Sequence, residues 1–315
     1  MNNILLYVII VLIWGSTWIA ITFQIGEVAP AVSIVYRFAF AALVLFIYCW
    51  MRKVPLNFNV KEHLQLLFFG VALFGTNYYF IYHAQQYINS ALTCIACSLI
   101  LFFNIINARL WFKTAINKQV YIGGLLGIMG ISTLFWPQLI DIELGAETLL
   151  GFTLCIIGTL FASIGNMLSI KNNKCQLAIL PANAWGMFYG SVSMTILAII
   201  QGETFSFSLT VPYVASLLYL SIFGSVIAFG CYLTLLHNIG AHKASYTTIM
   251  FPAVAVIIST IVEDFQWSEF TVAGMVFIIF GNIVVLMKPK KKKFNSKEIA
   301  LSVKVNEQEL LIENG

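Results

Sequence analysis

Ten runs of mainly apolar residues, each about 17–25 long, follow one another with short polar connections between them. They cover residues 4–23, 31–51, 64–83, 90–109, 119–137, 149–169, 181–200, 213–236, 243–262 and 268–287. In hydrocarbon such a run has to be helical, because its backbone N–H and C=O groups find partners only within the segment. No connection is long enough to hold a soluble domain. Composition agrees: charged residues make up 10% of the 315, against about 25% in a soluble domain, and hydrophobic residues make up 60%. The expected fold class is an all-α polytopic membrane protein with ten transmembrane helices.

Charge tests that count. With ten spans, the loops 52–63, 109–118, 170–180 and 237–243 share one face with both termini, and this face holds 16 of the 17 Lys and Arg residues. The opposite loops hold none and carry Glu27, Asp141, Glu143, Glu147, Glu203, Glu263, Asp264 and Glu269. One helix more or fewer would scramble this segregation. A Lys/Arg excess marks the cytoplasmic side, so both termini are expected there. The first run is too long for the core of a cleavable leader, and it lacks a basic flank and an A-x-A site. It is expected to remain as the first span, in the plasma membrane, or in the inner membrane of a Gram-negative bacterium. The basic run Lys288–Phe294 would act as a cytoplasmic retention charge or meet anionic headgroups, at about 1 kcal/mol per Lys. Beyond it, residues 295–315 read as a disordered tail.

The remaining basic residue is Arg37, about six residues inside the second run and on the order of 9–10 Å deep. An arginine at a helix centre costs roughly 2.5–3.5 kcal/mol on insertion scales, so intramembrane charges normally face a cavity, a partner or water. Two readings stand. Arg37 lines a central cavity and its planar fork holds a carboxylate or phosphate. Alternatively it snorkels to headgroups, bonds helix-end carbonyls or pairs with Glu27.

Trp14, Ser16 and Thr17 in the first run, Asn77, Tyr78 and Tyr82 in the third, and Ser163, Asn166, Tyr232 and Tyr246 in the second half are further substrate-binding candidates. Rings with a polar handle suit a pocket for an amphipathic solute. Interfacial belts for Tyr and Trp, and interhelical hydrogen bonds for Asn and Ser, are their other common uses. His83, near the outer rim, is the candidate coupling residue. No Asp or Glu lies in the middle of a span, so no carboxylate proton relay is expected. In a carrier this pattern points to facilitated or exchange transport with weak or indirect proton coupling.

The second half echoes the first at an offset of about 150 residues: Tyr82 falls opposite Tyr232, and the glycine-rich fifth run (Gly123, Gly124, Gly127, Gly130) opposite the tenth (Gly274, Gly281). The expected division is 1–137, 149–287 and the tail 288–315. Five spans is an odd number, so two such repeats would be inverted relative to each other, the arrangement that carriers use for alternating access. Gly123-x-x-x-Gly127 permits close helix approach, within the bundle or at a homodimer face.

The segments IWGSTWIAI (Ile13–Ile21), YRFAFAAL (Tyr36–Leu43), LHNIGAHKASYTTIMFPAVAVIISTIVEDF (Leu236–Phe265) and GMVFIIFGNIVVL (Gly274–Leu286) resemble the EamA family of the drug/metabolite transporter superfamily. The resemblance extends over residues 1–287. It implies two five-helix repeats and carrier-type transport of small metabolites or drugs, often as export; Arg37 and the tyrosines make an amino acid or a related amphipathic metabolite a fitting solute. Pro252 matches the family's proline in the ninth span, while Phe251 stands where an acidic residue often precedes it. The fourth span has no such proline near Phe102.

Other classes fit less well. Metal-dependent membrane enzymes need clustered carboxylates, and the chain has two aspartates far apart, with no H-E-x-x-H, G-x-S-x-G or Walker-type loop. No enzyme activity, metal, cofactor or nucleic-acid partner is expected; the partners are a small-molecule substrate and the bilayer. A passive channel or a membrane-embedded interaction protein is the alternative. Cys94 and Cys97 form a C-x-x-C inside an apolar run, where packing is the ordinary role.

Overall fold

In a computed structural model of the chain, the described residues are 2–88, 93, 96–113, 118–134, 136, 145–262 and 267–286. Cys94, the acidic loops 137–144 and 263–266, the basic run Lys288–Phe294 and the tail expected to be disordered lie outside them.

All regular structure among the described residues is helical. The helices are α1 (Asn3–Thr22), α2 (Pro30–Met51), α3 (Val60–Ala84), α4 (Ile100–Phe112), α5 (Lys118–Leu134), α6 (Ala146–Lys174), α7 (Ile179–Ile200), α8 (Val211–Ile239), α9 (Tyr246–Val262) and α10 (Glu269–Leu286). Six of them, α1, α2, α3, α6, α7 and α8, are by length and composition able to cross a membrane, and Ala96–Phe112 and Glu269–Val285 are shorter apolar helices.

Local chemistry sets their ends. Asn2 accepts from the Ile4 N–H at 3.1 Å to cap α1. Pro30 opens α2, where its fixed φ suits the first helical turn. Asn59 and Glu62 form a reciprocal capping box at α3, with bonds of 2.9 and 2.8 Å. Gly240, at φ 86°, closes α8 and leads into a single helical turn, Ala241–Ala244, before α9.

The principal helix pairs are α5 with α10, α2 with α7 and α8, α3 with α6 and α7, α4 with α6, and α1 with α8 and α9. Small residues bring these pairs together, as expected where lipid offers no hydrophobic drive between helices. A Cβ on Gly70 would lie 2.1 Å from the Gly186 carbonyl oxygen, so α3 touches the α7 backbone there. In the α5–α10 seam, a Cβ on Gly123 would lie 2.7 Å from the Gly281 oxygen, and one on Gly274 would lie 2.7 Å from the Gly130 oxygen. Outside the bundle, large apolar side chains stay exposed, among them Leu12, Leu43, Ile47, Val276, Phe280 and Ile283. Such continuous apolar cover would aggregate in water and is stable against acyl chains.

Two helices change register midway. Val71–Thr76 in α3 and Leu220–Ile227 in α8 are π-helical turns. The Asn77 N–H bonds the Ala72 carbonyl and the Ala228 N–H bonds the Phe223 carbonyl, each five residues back. Such π turns often occur at functional sites.

Candidate functional site

Arg37 points inward. It is 1% exposed and is the largest fully buried side chain, although its neighbours along α2 would be at home in lipid. Its Nε donates to Ser225 Oγ at 3.0 Å. Its Nη1 and Nη2 reach the hydroxyls of Tyr82 at 3.4 Å and Tyr78 at 3.5 Å, near the limit for a hydrogen bond. The guanidinium carbon lies 4.5 Å from the centroid of the Tyr78 ring and 5.2 Å from that of Phe38. Among the described residues no carboxylate pairs with it, and Glu27 instead accepts from Ser208 at 2.9 Å. Five N–H donors thus meet one well-placed oxygen and two distant ones.

The second π turn makes this pocket for the guanidinium. Ser225 Oγ donates to the Leu220 carbonyl at 2.9 Å, which aims its lone pairs at Arg37 Nε. The Gly224 carbonyl accepts from Trp14 Nε1 at 2.9 Å, fixing the indole of α1 against α8. A Cβ on Gly224 would crowd Thr17 Cγ2 at 3.1 Å and come into van der Waals contact with Arg37 Nη2 at 3.4 Å, so glycine gives the Thr17 side of the pocket its present space.

Arg37 opens onto a cavity of about 130 Å³ inside the bundle. Trp14, Thr17 and Ile21 of α1 line it, with Leu73, Asn77, Tyr78 and Ile81 of α3. From elsewhere come Cys97 and Ile100, Thr159, Ala162 and Asn166 of α6, Phe229 and Tyr232 of α8, and Thr248 and Phe251 of α9. Trp14 packs edge-on to Phe229 and Phe251, at centroid distances of 4.9 and 5.8 Å, so three aromatic rings form one wall. Among the described residues no Asp, Glu or His lines the cavity, and Arg37 is its one charged side chain.

A polar network borders the cavity. Asn166 Nδ2 donates to the Tyr232 hydroxyl at 3.1 Å and reaches Asn104 Oδ1 at 3.4 Å; Asn104 Nδ2 donates to Ser245 Oγ at 2.5 Å. Asn166 Oδ1 is buried and has no partner among the described atoms, leaving an acceptor at a residue of the cavity wall.

Of the residues singled out from the sequence, Arg37, Trp14, Thr17, Asn77, Tyr78, Asn166 and Tyr232 therefore line one space. The others lie elsewhere. Tyr82 stands behind Arg37, donating to Gln24 Oε1 at 2.9 Å. Ser16 bonds the Tyr219 hydroxyl at 2.6 Å and two carbonyls of its own helix. Ser163 accepts from Asn107 at 2.9 Å. Tyr246 is buried against α5 and donates to the Val120 carbonyl. His83 packs on Tyr79 at a centroid distance of 4.4 Å. Gly123, Gly127 and Gly274 sit in contacts among α5, α9 and α10, and Pro252 is buried inside α9. Ser225, Gln24 and the wall residues Thr159, Thr248 and Phe251 were not read from the sequence. The repeated Phe74-Gly75-Thr76 and Phe223-Gly224-Ser225 carry the signal that points to Ser225.

The model of the EamA-like transporter family matches residues 1–136 and again 149–287. The chain belongs to that family. It is 24% identical over 277 residues to an uncharacterized transporter, YoaV, of Bacillus subtilis, covering 88% of this chain and 91% of the relative. Protein PagO of Salmonella typhimurium is 24% identical over 292 residues, 90% of this chain and 92% of its own. An uncharacterized inner membrane transporter of Escherichia coli K12, YedA, is 24% identical over 299 residues, 93% of this chain and 92% of its own. One crystal structure superposes with a TM-score of 0.75 over 90% of this chain and 96% of its own, at 14% identity, so the fold has a solved counterpart. The protein is an integral membrane protein of a transporter family.

Proposed function

We propose that the protein is a secondary carrier for small amphipathic metabolites bearing a carboxylate or phosphate, working by alternating access around the Arg37 cavity. The observation that carries this reading is the buried guanidinium, with spare donors and, among the described residues, no ion-pair partner, on the wall of an aromatic cavity whose other described lining is uncharged. Its fork is matched to a carboxylate or phosphate, the Trp14–Phe229–Phe251 wall to an apolar body, and Asn166 Oδ1 to a donor such as an amine or hydroxyl. Amino acids and related zwitterions have all three features. One fixed positive charge in a low-dielectric space disfavours organic cations.

Two facts support ten spans arranged as inverted halves. Exchanging the halves maps the principal helix pairs onto one another: α1 with α8 becomes α6 with α3, α1 with α9 becomes α6 with α4, α3 with α7 becomes α8 with α2, and α2–α7 and α5–α10 map onto themselves. The π turns also fall 149 positions apart, counting from Phe74 to Phe223. Exchange symmetry of this kind is what lets two packings of one bundle open a single site to either side. In this reading both termini are cytoplasmic and the membrane is the plasma membrane, or the inner membrane of a Gram-negative cell. With His83 away from the cavity wall, movement is by facilitated or exchange transport, without strict dependence on a proton gradient. The direction that fits family habit is export.

A thermal-shift screen of purified protein against anionic, zwitterionic and cationic metabolites tests the reading. Stabilising hits should come from the first two classes and vanish in Arg37→Ala. Reconstituted protein should then show saturable flux of the hit and trans-stimulation. Non-saturating flux without trans-stimulation would make it a channel, and hits confined to cations would refute the site.

A further inference from the structure

A second cavity, of about 300 Å³, lies where the ends of α4, α6 and α8 converge. Its lining is amphipathic. Ala108, Phe112, Ile170 and Leu236 supply apolar walls, while Asn173 and Lys174 supply nitrogen donors. The three chain segments that meet here, around residues 112, 174 and 240, carry Arg109, Lys113, Lys171, Lys174 and Lys243 and no acidic residue. Lys174 Nζ sits 4.1 Å from the centroid of the Phe112 ring, so a cation–π contact holds its ammonium across from α4, and no described carboxylate neutralises it. His237 Nε2 lies 3.1 Å from the Ser169 carbonyl oxygen and 3.2 Å from Ser169 Oγ, which fixes the ring against α6. Its Nδ1 is buried and without a partner among the described residues.

We infer that this cavity binds the phosphate headgroup of an anionic phospholipid from the surrounding bilayer, with the lipid's upper chain segments against Ala108, Phe112 and Ile170. A pocket that joins one held cation, Lys174, to an apolar wall at the basic face matches a headgroup and the start of its chains, and basic pockets between spans are the usual headgroup sites. A free phosphate compound would use the ammonium and leave the apolar wall unmatched. The site is separate from the Arg37 cavity, and the inference does not rest on the substrate assigned there.

Full-length protein, purified and delipidated in mild detergent, is titrated with phosphatidylglycerol or phosphatidylcholine and read by native mass spectrometry, with and without glycerol 3-phosphate. We expect saturable retention of phosphatidylglycerol over phosphatidylcholine, about five-fold weaker retention in Lys174→Ala, and recovery in Lys174→Arg. Lys53→Ala, on another basic loop, should bind as wild type, and glycerol 3-phosphate should not compete. Equal retention of both lipids, an unchanged Lys174→Ala, or displacement by glycerol 3-phosphate would each overturn the assignment, the last in favour of a soluble phosphate ligand.

Discussion

The π turns of α3 and α8 share a Phe-Gly-hydroxyl sequence and a register change, yet they serve different ends. In α3, Gly75 faces α7: a Cβ there would stand 2.8 Å from Ser193 Oγ and 3.3 Å from Met194 Cε. In α8, the corresponding Gly224 faces Arg37 and Thr17, and the next residue, Ser225, holds the guanidinium. One copy is used for helix packing and the other for a charge. In the proposed reading the two halves exchange, while the site does not, because one half carries the arginine and the other carries its holder.

Arg37→Lys breaks the asymmetric side most severely. It keeps the charge and loses the fork, and transport should fall about ten-fold or more, as expected when a charged hydrogen bond worth about 1.5–3 kcal/mol is lost. Membrane abundance should stay unchanged, and wild-type flux in this variant would assign Arg37 a structural role only. Gly70→Ala tests the packing side without touching the cavity. Its Cβ would meet a backbone oxygen, so α3 and α7 must separate, and the purified variant should melt earlier by an amount consistent with about 1–3 kcal/mol of overpacking.

The paired substitutions Gly224→Ala and Gly75→Ala sharpen the comparison itself. The first should lower transport several-fold at near-native melting temperature, since its methyl presses on Thr17 of the cavity wall beside the guanidinium. The second should lower the melting temperature slightly and leave ligand affinity intact. If both behave alike, the two turns have the same role. The smallest effect belongs to His83→Gln, which should leave flux within about two-fold across the His titration range around pH 6.5. Loss of pH-gradient-driven flux in that variant would make His83 the coupling residue.

The positions of the helices were legible because long apolar runs have one stable form in lipid. The inward placement of Arg37 was legible as one of two readings, since an unpaired charge so deep needs a polar neighbour. The faces of the other helices were harder. Trp14, Thr17 and Ile21 share one face at spacings of three and four, whereas Ser16, one residue from Thr17, is turned about 100° and bonds Tyr219. Periodicity cannot select between such neighbours when both faces of a helix are apolar. Tyr246 shows the same limit: its hydroxyl was used for α5 and not for the cavity. The π turns were invisible because no residue type encodes a five-residue register, although the repeated Phe-Gly motif marks where they occur.

The most direct measurement compares a carboxylate ligand, once found, with its methyl ester, binding each to wild type and Arg37→Ala in detergent. The account predicts that the acid binds wild type at least about ten-fold more tightly than the ester and that this preference disappears in Arg37→Ala. Equal affinity of acid and ester for the wild-type protein would contradict it.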